Sequence, residues 1–543
     1  MFGWIRRKRC QLNNIRNENG RREQAVALLC ERINTDHFRS FKCQWPNVCA
    51  VACNIDYFRR QYDNDIGFVA EHSLLAFQEA AVEAHRETNC VVEFLTDANE
   101  TAKHLHRRFE GVPKPPLFAV PFTVQENVAV KGHNMTQRPN QTLDRKSTQP
   151  EHCLAVGIMI KLGAIPIART RLPEASLGFT NTANGGAWHP RNRRWCTGGD
   201  AALLACNGAV CSVGVDLDGA GRVSASCCGL AAFKPTQARC SQQNGTEYSD
   251  SVIVGESIGI QARTAGDLAQ IVTALFNAST ALVDPYVTVL PCTPPPKSSS
   301  VRIGWFDHHD FVRPAVSCAR AVHVAREALE ECGHELVECW LPDSIAESLC
   351  RCAYICASVS GRHNWTQRLH RAYADLVRMR SSSDDRAQRF CDSISVGHSG
   401  LQAAIVELRR IRQMICEQWK SAGIHAVICP AMPTVAVPHG APTEVLGALT
   451  SYTVLFNALD FPAGVVACTQ VFEEHRAQDA ANRRLRKDVD LWDTVMRDTD
   501  TAKQSVGMPV GVQLAAWPFQ DELVLTLMKQ LEQSNLIRAE IRQ

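Results

Sequence analysis

A chain of 543 residues, 45% of them hydrophobic and 21% charged, has the composition of an ordinary globular protein and is long enough for a large core. Its formal net charge of +2 gives no electrostatic basis for binding nucleic acid, so that class of partner is excluded. No segment reaches the roughly 18 consecutive apolar residues that a membrane-spanning helix needs, and the basic start MFGWIRRKR lacks the apolar centre of a secretory signal.

These features predict a cytoplasmic protein. Its basic N-terminus offers weak peripheral contact with an internal membrane as an alternative, because the few apolar residues there bury little surface. The 24 cysteines are expected to be free, buried thiols. The tightest cysteine clusters, Cys227-Cys228 and Cys350-x-Cys352-x3-Cys356, lack the paired spacing of a zinc site. We therefore predict no metal and no cofactor.

The chain begins with a basic, polar segment, residues 1–45, which we interpret as an arm or a leading helix with an amphipathic patch near Arg21–Ile33. Residues 46–543 are predicted to form one domain, with its functional core at about residues 115–240. Residue spacing in the first half predicts helix Ile66–Thr88, strand Cys90–Leu95, a β-rich run Leu117–Val128, helix Leu154–Leu162 and strand Ala164–Ala168.

The second half is predicted to contain strand Ser257–Thr264, helix Ala265–Phe276, a linker Cys292–Ser300, strand Val301–Trp305, helix Pro314–Cys332, helix Leu401–Ser421, strand Ala426–Cys429 and a last helix Asp521–Ser534. One loop reads Asp307-His308-His309-Asp310. This group suggests a metal site, but neighbouring residues on a loop rarely converge on one ion, so a solvated loop is the preferred interpretation.

The stretch Arg194–Ser241 is the most informative part of the sequence. Gly198-Gly199 opens a helix of small residues, Ala201–Ala209, and a strand follows at Val210–Val215. A glycine-containing turn, Asp216–Arg222, comes next. Such a turn directs backbone N–H groups at one point, as in an oxyanion hole, although a tight structural crossover explains the same composition.

The order of these residues resembles the amidase signature family, and within it the fatty acid amide hydrolases of animals. Further matching blocks are Val120–Asn127, Ser451–Val466 and the closing strand signature Ser505–Leu514, so the resemblance covers about Thr88–Gln533. It implies an α/β fold, a mixed twisted central sheet surrounded by helices. The implied substrate class is fatty acid amides, and because family members often dimerise, a homodimer is one implied assembly.

The family hydrolyses amides with a Ser–Ser–Lys triad, and all three positions differ here. The resemblance places the nucleophile at Ala220, the bridging serine at Cys196 and the lysine at Gln125. It also assigns the oxyanion turn to Leu217, Asp218 and Gly219, and a substrate-channel wall to Leu177 and Phe179, for which core packing is an equal alternative.

These substitutions remove the chemistry of the triad. Ala220 has no atom that can attack a carbonyl, and Gln125 does not titrate and so cannot act as a base. Asp218 adds negative charge where negative charge would develop. Cys196 is the one residue at these positions that is chemically able to act as a nucleophile.

Three hypotheses remain open from the sequence. The first is a catalytically inactive member of the family that keeps a pocket for a lipid amide or another acyl ligand. The second is an amide or ester hydrolase with a relocated nucleophile, such as Cys196. The third is an interaction scaffold that uses the N-terminus or the polar segment Arg371–Arg389. The charge of that segment is incompatible with burial in a bilayer, which argues against a membrane-docking cap.

Overall fold

The computed structural model describes residues 20–33, 54–64, 70–134, 148–172, 186–244, 257–278, 284–293, 300–309, 311–339, 341, 343–360, 386, 398–439, 446–484, 491–500 and 502–542. The predicted wall residues Leu177 and Phe179 lie outside these ranges, as does the segment Arg371–Arg389 apart from Arg386.

The described residues form a large mixed sheet with helices packed around it. The strands are β1 Val91–Phe94, β2 Pro121–Gln125, β3 Ile165–Thr170, β4 Trp188–His189, β5 Asn192–Cys196, β6 Cys211–Asp216, β7 Ala231–Lys234, β8 Ser257–Ala262, β9 Arg302–Trp305, β10 Glu335–Glu338, β11 Ala426–Pro430, β12 Val437–Pro438, β13 Ala463–Gln470 and β14 Pro509–Ala516. Eleven of them form the large sheet in the order β1-β3-β2-β6-β8-β7-β13-β14-β11-β9-β10, and a small sheet has the order β12-β5-β4. The predicted α/β class and mixed central sheet are confirmed.

Helices connect and cover these strands. Their bounds are Ile55–Asn64, Ala70–Thr88, Ala98–Arg108, Leu154–Lys161, Gly199–Ala205, Ala220–Cys228, Ala265–Ala278, Val316–Glu331, Asp343–Ser360, His398–Ala422, Leu446–Leu449, Val454–Ala458, Glu473–Arg484, Leu491–Asp500, Asp521–Gln533 and Asn535–Arg542. A further helix covers residues 20–33. In the described part of the chain, no helix has the length and apolar character that crossing a membrane requires.

The helix at residues 20–33 is attached to one edge of the large sheet. Its Leu29 side chain is only 1% exposed. Arg22 donates a hydrogen bond to the carbonyl of Val91 at 3.2 Å, and Arg32 donates one to the carbonyl of Thr96 at 3.3 Å. This part of the basic segment is therefore a packed helix, while the division into residues 1–45 and 46–543 stays a prediction.

Two predicted elements have different bounds in the structure. The small-residue helix begins at Gly199 and ends at Ala205, earlier than predicted, because Asn207 adopts a positive φ of 60° that a helix does not allow. The closing strand begins at Pro509 and not at Ser505, since Lys503–Ser505 forms a 3-10 turn and Gly507 has a φ of 80°. In both places a residue with a left-handed backbone conformation, Asn207 or Gly507, lies next to the end of the element and determines where it stops or starts.

The strand order positions the functional core. Strand β2 pairs in parallel with β6, so their carboxyl ends, at Gln125 and Asp216, lie at the same edge of the sheet. The helix Ala220–Cys228 then carries the chain from β6 to β7, and β8 pairs with both of these strands. The sheet therefore brings the predicted lysine and nucleophile positions to one region.

Gly199 provides a test of close packing in this region. A Cβ atom at Gly199 would lie 2.4 Å from the Cys90 carbonyl oxygen and 2.7 Å from the Arg171 backbone nitrogen, and backbone cannot move aside cheaply. We expect Gly199→Ala to lower the free energy of unfolding by roughly 2 kcal/mol or more. Urea unfolding monitored by circular dichroism measures this change.

The matched control is Gly157→Ala, in the helix Leu154–Lys161, where a Cβ meets only His152 Cβ at an ordinary 3.8 Å. This variant should be stabilised by roughly 0.5–1 kcal/mol because alanine favours the helix. Equal effects of the two substitutions would contradict the packing assigned to Gly199.

Candidate functional site

A buried ion pair shapes the turn after β6. The guanidinium of Arg222 donates from Nε to Asp216 Oδ2 and from Nη2 to Asp216 Oδ1, each at 2.9 Å. Arg222 is 0% exposed. The backbone N–H of Gly219 donates to Asp216 Oδ1 at 3.0 Å. Bidentate geometry of this kind makes a strong charge-assisted pair, and it fixes both ends of the turn Asp216–Arg222 to each other.

The segment around Thr453 and Asn457 supports this ion pair from a distant part of the sequence. Arg222 Nη1 donates to the Thr453 carbonyl at 3.1 Å, and Asn457 Nδ2 donates to Asp216 Oδ1 at 2.9 Å. Arg222 also donates to the side-chain oxygens of Gln513 and Asn457. Burial raises the pKa of Asp216, but Arg222 and the Asn457 hydrogen bond outweigh it and leave that pKa below its usual value.

Gly219 is required at the centre of this turn. It adopts a φ of 93°, which other residues rarely adopt. A Cβ atom there would also lie 2.1 Å from Thr453 Cβ. The Thr453 hydroxyl donates to the backbone carbonyl of Asp218 at 2.8 Å. Asp216 therefore accepts a hydrogen bond from a backbone N–H of the turn, and Thr453 donates one to a backbone carbonyl of the turn.

The Asp218 side chain folds back onto this turn. The Ala220 N–H donates to Asp218 Oδ1 at 3.1 Å, and the Tyr354 hydroxyl donates to Asp218 Oδ2 at 3.3 Å. Tyr354 also shares a 2.5 Å hydrogen bond with the Thr450 hydroxyl. Two consecutive N–H groups of the turn, those of Gly219 and Ala220, therefore already donate to carboxylates of the same chain.

Asp218 is a buried acid with an altered titration. The residue is only 4% exposed. Burial, followed by the charge of Asp216, raises the pKa of Asp218 to about 6. At neutral pH most of these carboxyl groups are ionised, so the turn carries a negative charge beside Ala220.

Gln125 is held by hydrogen bonds at both ends of its amide. Its Nε2 donates to Asp200 Oδ2 at 2.7 Å, and its Oε1 accepts from the Val215 N–H at 3.0 Å. Gln261 Nε2 donates to the same Asp200 oxygen at 2.6 Å. A Cβ atom at Gly214 would lie 2.2 Å from Gln125 Cδ, so this glycine leaves space for the amide. The predicted lysine position is therefore a cross-link between β2, β6 and the helix Gly199–Ala205.

Cys196 lies at the end of β5, where it pairs with Val437 of β12. It belongs to the same apolar cluster as Val223 and Cys227, and Ala220 packs against that cluster. The structure thus places the predicted bridging position in the apolar cluster against which the predicted nucleophile position packs. Burial raises the pKa of the Cys196 thiol to about 12, so the thiol is protonated at neutral pH.

Several residues of this site were not identified from the sequence, among them Asp200, Gln261 and Tyr354. Asp200 and Gln261 carried a usable signal, because each is a polar residue within an otherwise small or apolar segment that turned out to be buried. Tyr354 carried none, since 136 residues separate it from its partner Asp218.

The histidines of the Asp307–Asp310 loop point to different places. Asp307 bonds His308 at 2.6 Å and His323 at 2.9 Å through its two carboxylate oxygens. The ring of His309 is buried and stacks on Tyr452 with 4.0 Å between ring centroids. Within the described ranges, no group of three or more histidine, cysteine, aspartate or glutamate residues is arranged to hold a metal ion.

The raised pKa of Asp218 predicts a pH-dependent stability. Its pKa is about 6 in the folded protein and about 3.9 in an unfolded chain. The folded state therefore binds the Asp218 proton more tightly than the unfolded state does. Protonation of Asp218 stabilises the fold fully below pH ~4, and this stabilisation is lost as the pH rises through ~6. Ionised Asp218 should cost roughly 3 kcal/mol at pH ~8, and Asp218→Asn should remove that cost.

Thermal unfolding of the wild type and of Asp218→Asn at pH ~4.5 and pH ~8 measures this effect. The variant should be the more stable protein at the higher pH, with a smaller difference at the lower pH. Asp307→Asn is the matched control, because hydrogen bonds from His308 and His323 outweigh burial and lower the pKa of Asp307. If both variants respond to pH alike, the assignment to Asp218 is wrong.

The Gln125–Asp200 contact predicts opposite effects of two charges at position 125. Gln125→Glu places a second carboxylate within hydrogen-bond distance of Asp200 in a buried site, and we expect a loss of roughly 3 kcal/mol or more at neutral pH. Gln125→Lys supplies an opposite charge instead and should be the better tolerated. Urea unfolding of both variants tests this order, and a more stable glutamate variant would refute the contact.

Comparison with known proteins identifies the family. The family model named Amidase matches residues 72–525. Fatty-acid amide hydrolase 1 of Sus scrofa is 30% identical over 494 residues, which cover 85% of this chain and 82% of that protein. Fatty acid amide hydrolase 1 of Caenorhabditis elegans is 26% identical over 501 residues, covering 85% and 84%. A solved structure of fatty acid amide hydrolase matches the fold with a TM-score of 0.75 at 19% identity, over 97% of this chain and 91% of that one. The chain therefore belongs to the amidase signature family.

Proposed function

We propose that this chain is a fatty acid amide hydrolase-like protein that binds a lipid amide or related acyl ligand without hydrolysing it. The proposal combines an intact family scaffold with altered chemistry at the triad positions. The relatives named fatty acid amide hydrolase supply the ligand class. A cytoplasmic location and a homodimer remain predictions.

The observation that carries this proposal is the position of the Asp218 carboxylate. In the family mechanism, N–H groups of this turn stabilise the oxyanion that forms when the carbonyl is attacked. Here the N–H of Gly219, one of the assigned donors, already donates to Asp216 Oδ1 at 3.0 Å, and the neighbouring Ala220 N–H donates to Asp218 Oδ1 at 3.1 Å. A developing oxyanion would meet an occupied donor and a like charge, so the turn opposes the transition state that it would otherwise stabilise.

The lysine position supports the same conclusion. Both polar atoms of the Gln125 amide are used, one by Asp200 and one by the Val215 N–H. An amide has no proton-accepting nitrogen that titrates near neutral pH, so Gln125 cannot be a general base. Its role in the proposal is structural, because it links two strands to the helix Gly199–Ala205.

The alternative with a relocated nucleophile receives little support from the surroundings of Cys196. A reactive cysteine is a partly exposed thiolate in electropositive surroundings. Cys196 is 1% exposed, lies in an apolar cluster, and has a pKa raised to about 12 by burial. These are the surroundings of a packing residue, so the non-hydrolytic proposal is the better one.

Restoring the catalytic groups tests the proposal. We expect no hydrolysis of oleamide by the wild type, and weak hydrolysis by the triple variant Gln125→Lys, Cys196→Ser, Ala220→Ser. Adding Asp218→Gly to this triple variant should raise its kcat by about 10²-fold or more, because it removes the carboxylate charge from the turn and frees the Ala220 N–H. The measurement is product release by mass spectrometry, with labelling by a fluorophosphonate as a second readout.

Two results would contradict the proposal. One is turnover by the wild type that is abolished in Cys196→Ala, since this would establish a cysteine hydrolase. The other is fluorophosphonate labelling of the wild type at a single serine. A silent set of variants that still bind oleamide would leave the binding part of the proposal standing and would refute the stated cause of inactivity.

A further inference from the structure

A cavity of about 460 Å³ is lined mainly by the helices Ala265–Ala278 and Asp521–Gln533. It shares no lining residue with the turn Asp216–Arg222. The cavity opens to solvent, since Arg59 and Asn277 on its rim are exposed and most of its other lining residues are half-buried. Small-molecule sites usually have volumes of roughly 300–1,000 Å³. A small ligand therefore has both the space and the access that it needs here.

The two helices run antiparallel along this cavity. Glu532, near the end of one helix, accepts a hydrogen bond at 2.6 Å from the N–H of Ala265, at the start of the other. Glu522 lies in the first turn of its helix and near Cys292, because burial raises the pKa of that thiol and the charge of Glu522 raises it further. Cys292 Sγ donates to Thr273 Oγ1 at 3.5 Å. One end of the cavity is therefore near Ala265 and the other is near Glu522.

Two cations from different elements line this cavity. Arg59 is one helical turn from Ile55, whose N–H donates to Asp267 Oδ1 at 2.9 Å. Lys529 is one turn before Glu532 on its own helix. Within the ranges that the structure describes, no hydrogen bond or ion pair joins Arg59 or Lys529 to another residue. Both charges therefore lie toward the same end of the cavity and are available to a ligand.

The acids around the cavity do not cancel these two charges. Glu522 accepts a hydrogen bond from Arg239 Nη2 at 2.8 Å, which compensates its charge. Asp267 and Glu532 accept from backbone N–H groups. Burial raises the pKa of both of these carboxyl groups, because it disfavours their charged forms. The end of the cavity near Ala265 therefore favours an anion.

The lining between the two ends is largely apolar. Leu162 and Leu525 contribute to it, together with the small side chains of Ala269 and Ala274. The two alanines lie along the helix between its start and Asn277, so they separate the cationic end from the end near Cys292. An apolar group placed against them would gain roughly 25 cal/mol for each Å² removed from water. The cavity thus combines an apolar body with a cationic end.

We propose that this cavity binds a compact organic anion, namely an aromatic ring that carries a carboxylate. The carboxylate would accept hydrogen bonds from Arg59 and Lys529, and the ring would cover Leu525 and the two alanines. Ion pairs at such exposed cations contribute little by themselves. The ligand therefore needs both its charge and its apolar body. This site and the proposed lipid-binding function do not depend on each other.

The test compares three ligands. Cinnamate carries both groups, cinnamamide has the same shape without the charge, and acetate has the charge without the ring. Each is titrated by calorimetry into the full-length wild type at pH ~7.5, where a carboxylic acid is ionised. We expect cinnamate to bind at least about tenfold more tightly than either of the others. No binding of cinnamate, or equal binding of cinnamamide or acetate, would overturn the inference.

Four variants test which residues are involved. Arg59→Gln and Lys529→Gln should each weaken the binding of cinnamate by about threefold, and together they should remove the preference over cinnamamide. Arg60→Gln is the matched control, because Arg60 is exposed on the same helix but does not line the cavity. Ala274→Leu should abolish binding, since the larger side chain fills the cavity. Thermal unfolding confirms that each variant is folded.

Cys292 reports the position of the ligand without any substitution. It lines the cavity and is half-buried, whereas Cys332 is exposed and lies elsewhere. Bound cinnamate should slow the alkylation of Cys292 by iodoacetamide and leave the rate at Cys332 unchanged, as measured by mass spectrometry of peptides. If cinnamate binds without protecting Cys292, or still binds to Ala274→Leu, the ligand occupies another site and the inference is wrong.

Discussion

The bidentate ion pair between Asp216 and Arg222 is the constraint on which the functional core depends. It joins the end of β6 to the first turn of the helix Ala220–Cys228, and it is fully buried. Removing either partner would leave an uncompensated charge in the core, which costs about 3–5 kcal/mol. Because Thr453 and Asn457 bond to the same pair, the position of the segment at residues 450–458 depends on it as well.

This arrangement explains how the turn keeps its geometry with aspartate at position 218 and alanine at position 220. The geometry of the turn is set by Asp216, Gly219 and Arg222. The side chains at positions 218 and 220 do not determine this geometry. Alanine at position 220 is an ordinary first residue for a helix, and Asp218 bonds within the turn. At the position that the family resemblance assigns to the lysine, Gln125 donates a hydrogen bond to Asp200 and accepts one from the Val215 N–H, so both ends of its amide are bonded. The hydrogen bonds that hold this part of the fold are therefore independent of the side chain at position 220.

The sequence alone predicted the features that depend on local residue pattern and on the order of motifs, namely the bounds of many elements and the family. Hydrophobic spacing placed the helix Val316–Glu331 and strand β9 within about two residues, and the ordered motif blocks predicted the family. The sequence did not predict contacts between segments that lie far apart along the chain. Arg222 meets Thr453 across 231 residues, and Tyr354 meets Asp218 across 136. The bond from the Ala220 N–H to Asp218 is instead local, because aspartate side chains commonly accept from the backbone two residues on, so it could have been predicted from the sequence.

The negative charge at position 218 is not required by the turn that contains it. Glycine would satisfy the backbone there, and asparagine would supply an acceptor to Ala220 and a donor to Tyr354 without a charge. Holding an ionised carboxylate at 4% exposure among neutral donors instead costs folding free energy.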